Sequence, residues 1–273
     1  MMRDYTKELP GHVEKYIGEQ GLFLEVFGVP APGEAAQERP PLLFVHGAYT
    51  GSWMWSKYIP HFIRSGWTCY VMNLRSHYKS RAMDMTKITF EDYLEDIKEI
   101  MGECGAPPIL VGFSMGGILC QKLAETEKLA GLVLIDSSIS REVHDQVPYR
   151  ELEPVKAGLV VPAPTREEES SMDESANDIA FQRKYLAMES ALAFNAFAFR
   201  FGSNGISINR SAISCPCLVV CAVNEEDDDL RGKAAAEYLH GEYKGLWGTT
   251  HTGLLVGQRY KEAADCVLEW LKP

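Results

Sequence analysis

The sequence predicts an α/β fold with a mostly parallel central sheet flanked by helices. Three observations predict it. Short, continuously apolar runs recur: "LLFVHG" (42–47), "WTCYVMNL" (67–74), "PPILVGF" (107–113), "LAGLVLID" (129–136) and "CPCLVVCAV" (215–223). Such runs are the pattern of strands buried on both faces. Between them lie segments of helical period, and strict alternation of strand and helix calls for parallel strands joined by right-handed crossovers. Finally, 273 residues with 46% hydrophobic and 24% charged side chains suit one large globular domain.

Taken in order, "HVEKYIGEQGLFLEVFGV" (12–29) reads as two short strands joined by a tight turn, and "PGEAAQERPP" (32–41) as a surface loop. The 42–47 run is the next strand. "SKYIPHFIRSG" is helical in period and can end at Gly66, and 67–74 is a strand. "TFEDYLEDIKEIMGECG" is an amphipathic helix that Thr89 can cap, with Asp92 where a capping box wants an acid. "PPILVGF" is followed by a helix in "MGGILCQKLAETE", and strand 129–136 follows that. After strand 215–223 come a helix in "LRGKAAAEYLHG", a last short strand in "EYKGLWG" and a closing helix in "YKEAADCVLEWL".

Residues 139–214 break the rhythm. They hold no convincing buried strand, an acidic run "TREEESSMDES" (165–175) and a Met- and aromatic-rich helical stretch, 179–202. A structureless loop of that length is improbable. The expected division is a core of 1–138 and 215–273, with 139–214 inserted as a helical cap over the C-terminal edge of the sheet.

Composition narrows the function. A net charge of −11, from 27 basic and 38 acidic residues, argues against nucleic-acid binding. No apolar run approaches the roughly 18 residues of a membrane span, and the N-terminus lacks the apolar core of a secretory signal. The seven cysteines are odd in number, lack a C-x-x-C pair and sit mostly in apolar runs, so they read as reduced core thiols of a cytoplasmic protein. No metal-ligand cluster, phosphate loop or dinucleotide fingerprint appears, so no cofactor and no metal are expected.

The stretch that carries chemistry is "LVGFSMGGIL" (110–119), which places Ser114 between Gly112 and Gly116. A chain of this length shows Gly-x-Ser-x-Gly by chance roughly one time in ten. Here an apolar strand precedes it and a helical pattern follows, the context of a sharp strand-to-helix turn that presents a serine at a helix N-terminus. Side chains at minus two and plus two would collide across such a turn, hence the two glycines.

With these motifs in view, the chain resembles the α/β-hydrolase fold superfamily, in its serine esterase and lipase-like branch. "LLFVHGAYTGSWMW" resembles the His-Gly oxyanion loop, and "LRSHYKS" a degenerate Arg-Gly-His-Gly-x-Ser turn in which Ser76 and Tyr78 replace the glycines. "GFSMGG" resembles the nucleophile elbow, "CLVVCAVNEEDDDL" the strand bearing the triad acid, and "GTTHTG" the histidine loop. "GSWMW" is similar to a bacterial esterase-like branch and, more distantly, to plant hydroxynitrile lyases and methylesterases.

The resemblance implies Ser114 as nucleophile and His251 as base; His251 alone of seven histidines follows the last strand in a glycine-rich loop. The acid is expected just past "CPCLVVCAV". Counting from Pro216 gives Glu225, a one- or two-residue bulge would move the role to Glu226 or Asp227, and Asp136 at the end of the preceding strand is an alternative placement. The backbone N–H groups of Ala48 and Met115 are the expected oxyanion hole. His46 would shape the oxyanion loop, Tyr49 and Trp53 would line a pocket or pack under the cap, and Trp55 would pack.

The expected activity is a serine hydrolase for a small carboxylic ester, thioester or lactone, working through an acyl-enzyme on a small-molecule substrate with an acyl or carbonyl group. The alternative is a C–C bond hydrolase or a hydroxynitrile-lyase-like lyase with the same triad. A lyase of that type would be expected to need a pocket lysine, for which Lys156 is the candidate.

Overall fold

A computed structural model describes residues 2–29 and 39–272, so most of the loop expected at 32–41 lies outside the described residues. The chain opens with strands β1 (Val13–Ile17) and β2 (Leu22–Phe27), followed by β3 (Leu42–Val45), α1 (Ile59–Arg64), β4 (Cys69–Met72), α2 (Phe90–Glu103), β5 (Ile109–Phe113), α3 (Met115–Leu123) and β6 (Gly131–Ile135). The segment between β6 and the next sheet strand holds α4 (Arg141–Gln146), β7 (Val160–Val161), α5 (Ala176–Tyr185), β8 (Glu189–Ser190) and α6 (Ala191–Phe197). The chain closes with β9 (Cys217–Val223), α7 (Glu226–Leu239), β10 (Glu242–Trp247), α8 (Gly253–Val256) and α9 (Tyr260–Trp270).

The main sheet has eight strands in the order β1-β2-β4-β3-β5-β6-β9-β10, antiparallel at β1/β2 and β2/β4 and parallel elsewhere. The period-two alternation of the apolar runs feeds two cores, one on each face. Leu43, Val45, Leu110, Leu132, Leu134 and Val219 pack with α2 and α3. Their neighbours Leu42, Phe44, Val111, Val133, Ile135, Leu218 and Val220 pack on the other face with α1 and α9. This is why these runs lack the polar alternation of a half-exposed strand.

Helix α2 forms as its sequence predicts. Thr89 Oγ1 accepts from Asp92 N at 3.2 Å while Asp92 Oδ2 accepts from Thr89 N at 2.7 Å, the reciprocal capping box. Phe90, Tyr93, Ile97 and Ile100, spaced at three and four, are buried on one face.

Two expectations need correction. The single helical stretch over 179–202 is divided: α5 ends at Tyr185, β8 pairs antiparallel with β7, and α6 begins at Ala191 with Ser190 as its cap. Helix α7 also begins earlier than its apolar period suggests, at Glu226, because the acidic run supplies the first-turn carboxylates that complement a helix N-terminus.

Candidate active site

Ser114 sits at the junction of β5 and α3 with φ 54° and ψ −121°, a backbone region that a side chain rarely adopts. Its backbone is held on three sides: Ser114 N donates to Ile135 O at 3.2 Å, and Ser114 O accepts from Gly117 N at 2.9 Å and Ser138 N at 3.0 Å. The flanking glycines are required by close approach. A Cβ on Gly112 would stand 2.5 Å from Gly116 O, and one on Gly116 would stand 2.5 Å from His46 O at the end of β3. Gly47 is equally constrained, since its Cβ would lie 2.8 Å from the Cβ of Ser114. The loop after β3 therefore passes directly over the serine, which brings Ala48 and Met115 to the same place. Ala48 and Ser114 both line a cavity of about 590 Å³. Met115 is the first residue of α3, where N–H groups lack intrahelical acceptors.

His251 lines the same cavity, and its ring stacks on Phe113 with centroids 4.5 Å apart. Its Nδ1–H donates to Asp136 Oδ2 at 2.5 Å, which leaves Nε2 as the free, basic nitrogen. Asp136, at φ 42°, follows the last residue of β6; its Oδ1 accepts from Ala222 N at 3.0 Å and its N donates to Val220 O at 2.7 Å. Among the described residues no hydrogen bond joins Ser114 to His251. Such bonds are often long without substrate and tighten when it binds.

Glu225, the expected acid, does not reach His251. Its side chain is 72% exposed, its nearest charged partner is Arg231 at 3.9 Å, and it serves as the N-cap of α7. Asp228 Oδ2 accepts from the N–H groups of Asn224 and Glu225 at 3.1 and 3.3 Å and so fixes this turn. Glu226 and Asp227 are exposed in the first turn of the same helix. The physical reason is register. Ile135 pairs with Val220, so Asp136 lies beside the end of β9, whereas Glu225 is carried beyond the sheet into the helix.

Two buried polar clusters hold the loop after β3 and the loop that carries His251, and neither is foreseen in the sequence. In the first, Glu189 of β8 accepts from His77 Nε2 at 3.1 Å, Tyr93 Oη at 2.6 Å, Ser190 N at 2.7 Å and Tyr49 N at 3.3 Å. His77 Nδ1 faces Arg75 O at 3.0 Å, so both ring nitrogens donate. Burial works against the charge on His77, but Glu189 outweighs it and the imidazole pKa is raised; the Glu189 carboxyl, also opposed by burial, is lowered by His77 and its other donors. The pair is a buried imidazolium–carboxylate. It grips Tyr49, at φ 67°, one residue beyond Ala48. His46 beside it is neutral, its pKa pushed down to about 3 by burial and the charge on His77. Its Nδ1–H donates to Gly47 O at 2.8 Å and its Nε2 accepts from Leu74 N at 3.1 Å, which fixes the loop from below.

In the second cluster, Asp173 and Glu174, from the acidic run, are buried against the histidine loop. Asp173 accepts from Thr249 Oγ1, and from Thr250 N at 3.0 Å. Glu174 accepts from Thr250 Oγ1 and Thr252 Oγ1, both at 2.7 Å, and pairs with Arg166 at 3.1 Å. These bonds overcome its burial and lower its pKa to about 2.

The remaining expectations divide. Tyr49 lines the cavity, while Trp53 packs against Phe181 and Tyr185, and Trp55 against Phe44, Tyr58 and Phe113. Ser76 and Tyr78, standing where the resembling turn has glycines, keep glycine-like backbones at φ 62° and 47°. Of the cysteines, all seven are free, and burial pushes the Cys104 and Cys217 thiols up to about 12. Away from the cavity, His12, Glu14 and Glu25 bring potential ligand atoms within 4.8 Å of one another, a grouping the sequence spacing does not reveal. There His12 Nε2 lies 3.3 Å from Glu25 and 3.6 Å from Glu14.

Comparison with known proteins agrees with this fold. Residues 40–157 match the sequence model of the alpha/beta hydrolase fold family. No curated protein matches the chain in sequence. Among solved structures, an esterase from Thermogutta terrifontis with malate bound superposes with TM-score 0.64 at 18% identity, covering 96% of this chain and 98% of its own. The enol-lactonase from Burkholderia xenovorans LB400 gives 0.65 at 16% identity, covering 95% and 99%. A monoacylglycerol lipase from Paleococcus ferrophilus gives 0.64 at 18% identity, covering 92% and 98%. Among the described residues no helix is long and apolar enough to cross a membrane. With its eight-stranded, mostly parallel sheet and its serine at the strand-to-helix turn after β5, the chain has the α/β-hydrolase fold.

Proposed function

We propose that the protein is a serine hydrolase of carboxylic esters, thioesters or lactones, with Ser114 as nucleophile, His251 as base and Asp136 as the acid that orients it. The observation that carries this reading is the His251–Asp136 hydrogen bond at 2.5 Å in the cavity that Ser114 lines. Ser114 Oγ attacks the substrate carbonyl as His251 Nε2 takes its proton. The N–H groups of Ala48 and Met115 stabilise the oxyanion, the alcohol leaves with the proton from His251, and water, activated by the same nitrogen, frees the acid. Residues 139–214 act as the cap, since Leu186, Phe194, Phe197 and Arg200 contribute one wall of the cavity. The names of the esterase, lactonase and lipase neighbours support this class.

The cavity wall includes three arginines and, among the described residues, no lysine, and Lys156 is exposed outside it. That favours hydrolysis over the lyase reading. The test is hydrolysis of p-nitrophenyl butyrate by wild type and Ser114→Ala. The expected result is turnover that the substitution reduces to the background rate. Undiminished turnover by Ser114→Ala would overturn the assignment.

A further inference from the structure

Three arginines are buried among the described residues: Arg75, Arg200 and Arg231. Arg75 is paired with Asp92 and Asp96, and Arg231 with Asp228. Arg200, only 8% exposed, has no carboxylate partner among the described residues. Its Nη1 donates to Glu153 O at 3.0 Å, its Nε has no acceptor, and its guanidinium lies over the Phe194 ring at 4.8 Å. A guanidinium stays charged at any working pH and carries five donors, so leaving one buried without an anion is costly.

Arg200 lines the cavity that Ser114 and His251 share. The two acids of that wall are already engaged, Asp136 with His251 and Asp228 with Arg231. The charge left uncompensated in the cavity is therefore positive, from Arg200 and the exposed Arg150, although the chain as a whole carries −11. Phe194, under the guanidinium, packs in turn on Tyr49 with centroids 5.5 Å apart, and Tyr49 adjoins Ala48. The cation thus stands off from the oxyanion loop by two aromatic rings.

Building on the reading of Ser114 as nucleophile, we propose that Arg200 binds a carboxylate of the substrate, which is an ester or lactone bearing a free acid several bonds from the scissile carbonyl. Arg200 and Phe194 then determine specificity: the guanidinium supplies charge-assisted hydrogen bonds and the ring fixes its plane.

The experiment compares p-nitrophenyl hemiesters of glutaric and adipic acid with neutral p-nitrophenyl valerate, using wild type, Arg200→Gln and Arg200→Lys. Fluorophosphonate labelling of Ser114 is read on each protein. Wild type is expected to prefer the better hemiester by about tenfold or more in kcat/KM, chiefly through KM. Arg200→Gln brings the hemiester-to-neutral ratio to one or below, and Arg200→Lys keeps part of it. A wild type without the preference, or an equal loss on both esters in Arg200→Gln, overturns the proposal. Should Arg200→Gln not fold, millimolar glutarate or adipate is expected to slow labelling of wild type where valeramide does not; equal labelling with and without the diacid overturns it. Labelling of Ser114 without acid preference removes this proposal alone, whereas wild type that does not label overturns the nucleophile reading and the proposal with it.

Discussion

His251 Nδ1 and Asp136 Oδ2 lie 2.5 Å apart although 115 residues separate them in the chain. On the proposed reading the triad acid therefore follows β6 rather than β9. Asp136→Asn is expected to lower kcat about a thousandfold or more, because the histidine loses the acceptor that sets its tautomer. Glu225→Gln and Asp227→Asn are expected to stay within about twofold of wild type, as changes in exposed groups of a helix N-terminus do. Steady-state kinetics on one p-nitrophenyl ester decide the matter, and a severe loss in Glu225→Gln with near-normal Asp136→Asn would reverse the assignment.

The buried His77–Glu189 pair ties residues 189–190 to the loop after β3 through Tyr49 N. Glu189→Gln leaves His77 without its counter-charge, and breaking such a pair costs about 3–5 kcal/mol. We expect a clearly lower Tm together with a kcat loss on the order of tenfold and little change in KM, since an oxyanion donor of the kind proposed for Ala48 acts mainly in the transition state. A variant with lowered Tm but unchanged kcat would show that the pair supports only the fold.

The pair also sets a pH window. His77, raised in the fold, contributes stability that is lost as pH rises through its folded value; Glu189, lowered in the fold, contributes stability that is lost as pH falls through its own. Double substitution His77→Phe and Glu189→Leu is expected to flatten both limbs of the stability–pH profile, measured by urea unfolding. Limbs as steep as in wild type would contradict the assignment of charge.

Glu174 gives a sharper acid-side prediction. Its carboxyl falls from an ordinary 4.5 to about 2, so its contribution is present above 4.5 and disappears as pH drops toward 2. The shift corresponds to about 3 kcal/mol at neutral pH. The difference in unfolding free energy between wild type and Glu174→Gln should therefore shrink as pH falls from 5 to about 2. Because the carboxylate holds Thr250 and Thr252 on either side of His251, the variant is also expected to lose activity at pH 7.

Gly116→Ala tests the elbow. The added methyl would meet the carbonyls of Val45 and His46, backbone that cannot swing aside. We expect a loss of several kcal/mol or failure to fold, among the large effects reserved for such clashes. Wild-type Tm in this variant would contradict the close approach of α3 to β3.

Much of the fold was legible because its signals are local. Continuous apolar runs mark the parallel strands, the Thr89–Asp92 box starts α2, and the glycines around Ser114 mark the elbow. What escaped depends on tertiary register. Asp136 and Glu225 both follow strand ends, and only the pairing of Ile135 with Val220 places the first and not the second at His251. The acidic run 165–175 shows in the sequence only as a polar tract, yet Asp173 and Glu174 find threonine hydroxyls some 76 residues away. Glu189 carries no signal beyond being one acid among 38, and its role appears only once His77, Tyr93 and Tyr49 N converge on it.

The most direct test of the account is covalent: label wild type, His251→Ala and Asp136→Asn with a fluorophosphonate and map the adduct by mass spectrometry. The account predicts a single adduct on Ser114 in wild type, none in His251→Ala and much slower labelling in Asp136→Asn. An adduct on another residue, or equally fast labelling in all three proteins, would contradict it.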